Sequence, residues 1–322
     1  MKKVILFFMI LNAFSIFSKE TLTVYIPDSI DWISKYTKDF EKENNVEIQF
    51  VKFEGVSSIV SRMILEKRNP KADVVIGLSA SNVSQAKKHN LLAKYVPKGA
   101  EKIKENYIDK DFYATLFDFG GLAIIYDSEK MLNPPKSFEE LTKLKDVLII
   151  QDPRTSSTGK DFLLWTIALY GDDWKDFWTR LSPAIKTITP GWSGSFAKLT
   201  TGEAPMMVSY ASNEAYSYEY YGGTKYLTLI PEEGGYIQVE GSALVNKRRI
   251  KDVAKKFIDF TISENLQKEI PLNNWMLPAI NVELPESFKY YKTSETYLSL
   301  DNEFVEKNTE KWIKEWEEII LR

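Results

Sequence analysis

The chain has 322 residues, with 42 Lys and Arg against 45 Asp and Glu, one histidine and no cysteine. A formal net charge of −3 with no basic block argues against nucleic acid and anionic membrane as partners. The absence of cysteine rules out a disulfide framework and a lipid-bearing thiol, and roughly 300 residues are more than one hydrophobic core usually organises, so two lobes are expected.

Lys2 and Lys3 precede an apolar run from Val4 to Phe17, after which Ser18, Lys19 and Glu20 turn polar. This pattern predicts a cleavable secretory signal over residues 1–18, with Ala13 and Ser15 offering a cut three residues earlier. The run is too short for a membrane span, which needs about 20 residues. Losing Lys2 and Lys3 takes the 42 basic residues to 40 against 45 acidic ones, a net of −5.

LTVYIP (Leu22 to Pro27) predicts a buried strand, Trp32 to Lys42 a helix, and VEIQFVKF (Val46 to Phe53) a second strand. Gly55 turns the chain into a helix from Val56 to Arg68, which Pro70 ends before the strand ADVVIGL. Alternating strands and helices with short connections predict an α/β fold with a mostly parallel sheet covered on both faces.

Phe117 to Asp127 (FDFGGLAIIYD) and Gly234 to Asn246 (GGYIQVEGSALVN) are two strand-like stretches that bracket the central part of the chain, as paired crossings of a hinge would. Between them lie an S-x-x-E capping box at Ser137 and Glu140, the strand VLIIQDP, helices through FLLWTIALYG and Trp174 to Leu181, and the strand APMMVSY, which together predict a second α/β lobe. Amphipathic helices are expected at Ile250 to Thr261, Asn265 to Ile270 and Lys311 to Leu321, the last burying Trp312 and Trp316 at helical spacing. The expected division is residues 19–119 with 245–284 as lobe 1, 120–244 as lobe 2, and 285–322 as a C-terminal helical segment packed on lobe 2.

Catalytic motifs are lacking. His89 is the sole histidine and lies in a polar run, so a Ser-His-Asp site has no base. GWSGS lacks the last glycine of a nucleophile elbow, TSSTGKD lacks the first glycine of a phosphate loop and the hydroxyl residue after Lys160, and no acid–base pair stands out among many carboxylates. TSSTGKD does follow a strand and open a helix, so Thr155 to Gly159 are expected either to cradle a phosphate or polar tail at the helix N-terminus or to cap it. Trp192, Tyr210, Tyr216, Tyr218, Tyr220, Tyr221, Tyr226, Tyr236 and Trp275 crowd the second half near loop signals. Such rings serve either as core or as a cage for a flat or cationic ligand.

LTVYIPDS, KADVVIGL, NPPKS with IIQDPRTSSTG and LLW, GW with SYASNEAY, YIQVEG, and IPLNNWMLPAINVELP resemble, in order and nearly end to end, the periplasmic thiamine-binding proteins of thiamine ABC transporters. That resemblance implies a two-lobed type II flytrap, with a mainly parallel sheet in each lobe and a hinge between them. It implies a non-enzymatic, monomeric carrier without cofactor that takes thiamine, thiamine monophosphate or thiamine diphosphate in the periplasm and delivers it to an inner-membrane permease and ATPase complex. By the same resemblance the aromatic cage falls on Trp192, Tyr210, Tyr216 and Trp275, with Trp32 in the first lobe. The phosphate or hydroxyethyl contact falls on Thr155, Ser156, Ser157 and Gly159, and an acidic partner on Glu54. The chain departs from the family at Pro27 (a tyrosine there), at Glu54 (an aspartate), at Ser79 (an acidic residue) and by a short deletion before Trp32. Another small cation, or ferric iron, is the alternative ligand; the tyrosine spacing after Ser209 and the lone histidine argue against iron.

Overall fold

A computed structural model describes residues 19–53, 55–103 and 108–320. The expected signal segment and Glu54 lie outside the described residues. The chain begins β1 (Glu20–Pro27), α1 (Lys38–Asn44), β2 (Val46–Phe53), α2 (Val56–Leu65), β3 (Val74–Leu78), α3 (Ala80–Lys88) and β4 (Leu92–Ala93). It continues through β5 (Thr115–Asp127), α4 (Phe138–Leu141), β6 (Leu148–Gln151), α5 (Ser157–Tyr170), α6 (Trp174–Leu181), β7 (Ile185–Thr189), α7 (Trp192–Thr200), β8 (Met206–Tyr210), α8 (Asn213–Tyr221) and β9 (Tyr226–Leu229). It ends with β10 (Gly235–Val245), α9 (Asp252–Thr261), α10 (Glu264–Gln267), α11 (Ile270–Asn274), β11 (Leu277–Pro278), β12 (Tyr297–Leu298) and α12 (Asn302–Ile320).

The strands run in the order β2-β1-β3-β10-β5-β8-β6-β7. β1 pairs in parallel with β2 and β3, and β6 pairs in parallel with β7 and β8. β5 and β10 join these two parallel halves, antiparallel to each other and to β8 and β3 respectively. This is the α/β, two-lobed architecture with paired crossings. The all-buried run VVIGL of β3 reflects its place inside a covered parallel sheet.

Gly120 and Gly121 interrupt the apolar run of β5 because other groups press on it there. A Cβ on Gly120 would lie 2.6 Å from Sδ of Met276, and the Gly121 N–H donates to the Tyr291 hydroxyl at 2.7 Å.

Three helices differ from the sequence expectation. The segment expected as one helix from Trp32 to Lys42 is a 3-10 turn over Asp28–Tyr36 followed by α1. Ile30 and Ile33, three residues apart, both turn inward, which the eclipsed spacing of a 3-10 helix permits. Asn265 to Ile270 is split between α10 and α11, since Ser263 caps α10 and Pro271 opens a new first turn. The last helix starts nine residues earlier than Lys311, at Asn302. Its Trp316 packs edge-on against Trp178 of α6, centroids 5.8 Å apart, while Glu306 accepts from Lys88 of α3 at 3.1 Å. Half of the expected capping box forms: Ser137 Oγ accepts from the Glu140 N–H at 3.0 Å, while Glu140 Oε2 accepts from the N–H of Lys136, one residue before the cap, at 2.8 Å.

Candidate functional site

In both halves the turns that follow the parallel strands lie at the carboxyl ends of those strands, where open α/β sheets place ligands. Trp32 follows β1, Ser79 follows β3, Thr155 to Thr158 follow β6, Trp192 follows β7, and Tyr210 ends β8 ahead of Tyr216. A small cleft between the two halves is lined by Ser79 and Ser81 from one, Asp161 and Leu164 from the other, and Tyr236 and Gln238 of β10.

The four hydroxyls expected as a cradle have separate tasks. Ser156 caps α5, its Oγ accepting from the Gly159 N–H at 3.3 Å. Thr155 Oγ1 donates to the Pro190 carbonyl at 2.8 Å, tying the loop to the turn that carries Trp192. Thr158 is buried and shares a 2.7 Å hydrogen bond with the Tyr210 hydroxyl. Ser157 is exposed at the first turn. Gly159 lies so close to β6 that a Cβ would come within 2.4 Å of the Gln151 carbonyl oxygen, so this position requires glycine for helix–strand contact.

Tyr216 and Trp275 meet edge-on, and Tyr220 also touches the tryptophan at a centroid distance of 5.6 Å. Trp275 has φ = 57°, a left-handed conformation uncommon for so bulky a residue. Its ring also stacks near Phe288, centroids 6.0 Å apart. Trp192 stacks on Phe196 at 5.0 Å, and its Nε1 donates to Ser209 Oγ at 2.9 Å. Tyr210 sits at the β8 edge, where burial pushes its phenol up, the Thr158 bond pulls it partly back, and the charges of Asp161 and Glu240 raise it further. Trp32 stands apart from these rings, 8% exposed and stacked on Phe117 at 6.2 Å, with its Nε1 buried and unpartnered.

The most polar part of the site was not singled out from the sequence. Asp118 of β5 and Glu240 of β10 are directly opposite in the antiparallel ladder. Asn274 Nδ2 donates to Asp118 Oδ2 at 2.7 Å and to Glu240 Oε2 at 3.1 Å. Asp118 is 0% exposed and its Oδ1 has no partner, whereas Glu240 is half-buried. Burial, and then the Glu240 charge, hold the Asp118 carboxyl far above the usual carboxylate range. Glu240 is likewise raised, chiefly by burial, against the lowering effect of Asn274. Burial pushes Asp161 up to about 6, with Lys160 acting the other way. A signal was available: Asp118 interrupts an apolar strand run, as does Glu240 in YIQVEG, and a charge inside a buried strand needs a reason.

Among the described residues no three His, Cys, Asp or Glu side chains converge to hold a metal ion, and no helix is long and apolar enough to cross a membrane.

Two α/β lobes joined by crossing strands, with a cleft between them, are the arrangement of a solute-binding protein. The chain belongs to the bacterial extracellular solute-binding protein family, whose profile matches residues 69–308. It is 35% identical over 311 residues to the thiamine-binding periplasmic protein of Brucella suis, covering 93% of this chain and 92% of that one. A solved periplasmic thiamin binding protein superposes with a TM-score of 0.84 at 34% identity, over 94% of this chain and 97% of the other. The ferric binding protein from Campylobacter jejuni has the same fold, with a TM-score of 0.80 at 22% identity over 92% and 99% of the two chains.

Proposed function

We propose that this chain is the substrate-binding component of an ABC importer, capturing thiamine and its phosphate esters in the periplasm, unchanged, for a membrane permease. The observation that carries the reading is the join of rings and carboxylates at Asn274 and Trp275: Asn274 bonds both Asp118 and Glu240, and the next residue turns its indole onto Tyr216. Thiamine combines a permanently cationic thiazolium with a flat aminopyrimidine. A cation over an aromatic face gains roughly 0.5–2 kcal/mol, more when water is excluded, and nearby carboxylates add to it in a closed cleft.

The 35% identity to a thiamine-binding relative along nearly the whole chain supports the same ligand. For the cradle the assignment narrows to Ser157 and the first-turn amides of α5, because Thr155 and Thr158 are engaged with Pro190 and Tyr210. Trp192, Tyr210, Tyr216 and Trp275 are proposed as the cage, with Trp32 supporting the first-lobe wall through its stack on Phe117. Lobe closure on the ligand completes the site.

Calorimetry with thiamine, thiamine monophosphate and thiamine diphosphate tests this. Stoichiometric binding with the vitamin recovered intact is expected; no heat with any of the three would sink the reading.

A further inference from the structure

Two carboxyl groups that touch in a dry site cannot both ionise without a cation. Asp118 and Glu240 meet across β5 and β10, and the partner that bridges them, Asn274, brings two hydrogen bonds but no charge. Asp118 is wholly buried with Oδ1 unpartnered, so the pair is short of a donor. A proton held between the carboxyls supplies that donor in the empty protein; a cation does the same electrostatic work in the filled one.

We propose that the Asp118–Glu240 pair is a cation subsite that holds one proton when empty and releases it when the positive ring of the ligand docks, so that capture is coupled to proton release. The inference rests on the thiamine reading and adds the group that meets the charge. Its placement is what gives it force: the pair sits on the two strands that join the lobes, and the residue that bridges it, Asn274, is next in sequence to Trp275, whose ring meets Tyr216. The other titratable groups bearing on it are Asp161 with Lys160 on α5 and Tyr210 on β8, while Tyr236 of β10 feels the charge of Asp161. Asp161 reinforces the negative field, both phenols stay neutral, and Lys160 acts on Asp161 instead of on the pair.

The test is calorimetric titration of the whole protein with thiamine in buffers of different ionisation enthalpy, between about pH 5 and 8. Release of close to one proton per thiamine is expected at the acidic end, with Kd improving by up to about tenfold per pH unit until the pair is ionised without ligand. A neutral isostere carrying carbon in place of the thiazolium nitrogen should release none. The double variant Asp118→Asn with Glu240→Gln, with folding checked by its melting curve, should bind thiamine more weakly and with no proton released, because burial alone keeps either carboxyl raised. Identical heats in every buffer for the unaltered protein would overturn the coupling while leaving thiamine as the ligand; no binding of thiamine at all would overturn the functional reading and this inference together. Proton release that persists in the double variant would place the proton outside the pair, and its loss in Asp161→Asn alone would move it to α5; either result refutes the assignment.

Discussion

The Trp275 ring meets Tyr216 edge-on, with centroids 4.8 Å apart and planes at 77°. The contact joins α8, in the segment between the crossing strands, to the end of α11, beyond them. Removing the indole should therefore separate affinity from stability. Trp275→Ala is expected to weaken thiamine binding by at least about 1–2 kcal/mol, and Trp275→Phe by less. Its folding cost should stay below the roughly 3–5 kcal/mol of a core ring, because the side chain is only half-buried. Fluorescence titration and thermal melting on the same variant decide this; a large drop in Tm with affinity retained would return Trp275 to the core.

Ser156 and Ser157 should divide into cap and contact. Ser156→Ala removes the hydrogen bond to the Gly159 N–H and should cost about 1 kcal/mol of stability, weakening all three thiamine forms alike. Ser157→Ala should leave Tm unchanged and weaken the phosphate esters more than thiamine, since charge-assisted hydrogen bonds are the stronger ones. Equal losses across the ligands in Ser157→Ala would reduce the whole segment to a helix cap.

Gly159→Ala tests why the helix can start where it does. The added Cβ would approach the Gln151 carbonyl oxygen to 2.4 Å, and backbone cannot swing aside as a flexible side chain can. A loss of roughly 1–3 kcal/mol is expected from overpacking, read by denaturant unfolding; a neutral substitution would mean that α5 can shift away from β6.

The buried strands were legible because their apolar runs match the burial of their sheets: VVIGL is buried throughout and the two long bracketing stretches became β5 and β10, whereas the mostly half-buried β7 and β9 and the two-residue β4, β11 and β12 were not. The 3-10 turn at Asp28–Tyr36 was not, because Trp32, Tyr36 and Phe40 keep a helical spacing across two different local geometries. At the site, hydroxyls in TSSTGKD drew attention as a group, yet Thr158 and Gly159 serve Tyr210 and β6. Asp118 and Glu240 lie 122 positions apart by their numbering. Only the antiparallel register of the crossing strands brings them opposite each other, and no local spacing records it.

Acid should act on the fold through Asp73. Burial pushes its carboxyl up, but bonds from Lys247, Lys251 and the Thr23 N–H outweigh that and hold it below the usual range. A depressed folded-state value gives stability that is present above the unfolded value, near pH 4, and is lost as pH falls through the folded one. Asp73→Asn should therefore lower Tm at neutral pH and converge on the parent protein at the acid limit; an unchanged Tm at neutral pH would remove this ion-pair cluster from the account.

Asp161 should act in the opposite direction, and closer to neutral pH. It is 8% exposed on α5, and burial raises it to about 6 despite Lys160. A raised folded-state value means a stabilising contribution that is full below the unfolded value, near pH 4, and lost as pH rises through about 6. Asp118 and Glu240 are raised too and add to the same trend. The ligand-free protein is therefore expected to melt at lower temperature at pH 8 than at pH 5, with about 1.4 kcal/mol withdrawn at Asp161 over that interval, the other half of its contribution being lost already below pH 5. Thiamine should reverse part of the loss, since its positive charge offsets the newly ionised carboxylates. Asp161→Asn carries no charge to bury and should flatten the slope of Tm against pH above 5. Calorimetric melting of the ligand-free protein and this variant across that range provides the measurement. A Tm that climbs steadily with pH, or the same slope in Asp161→Asn, would show that these carboxyls are solvated and that the cleft is wetter than its burial indicates.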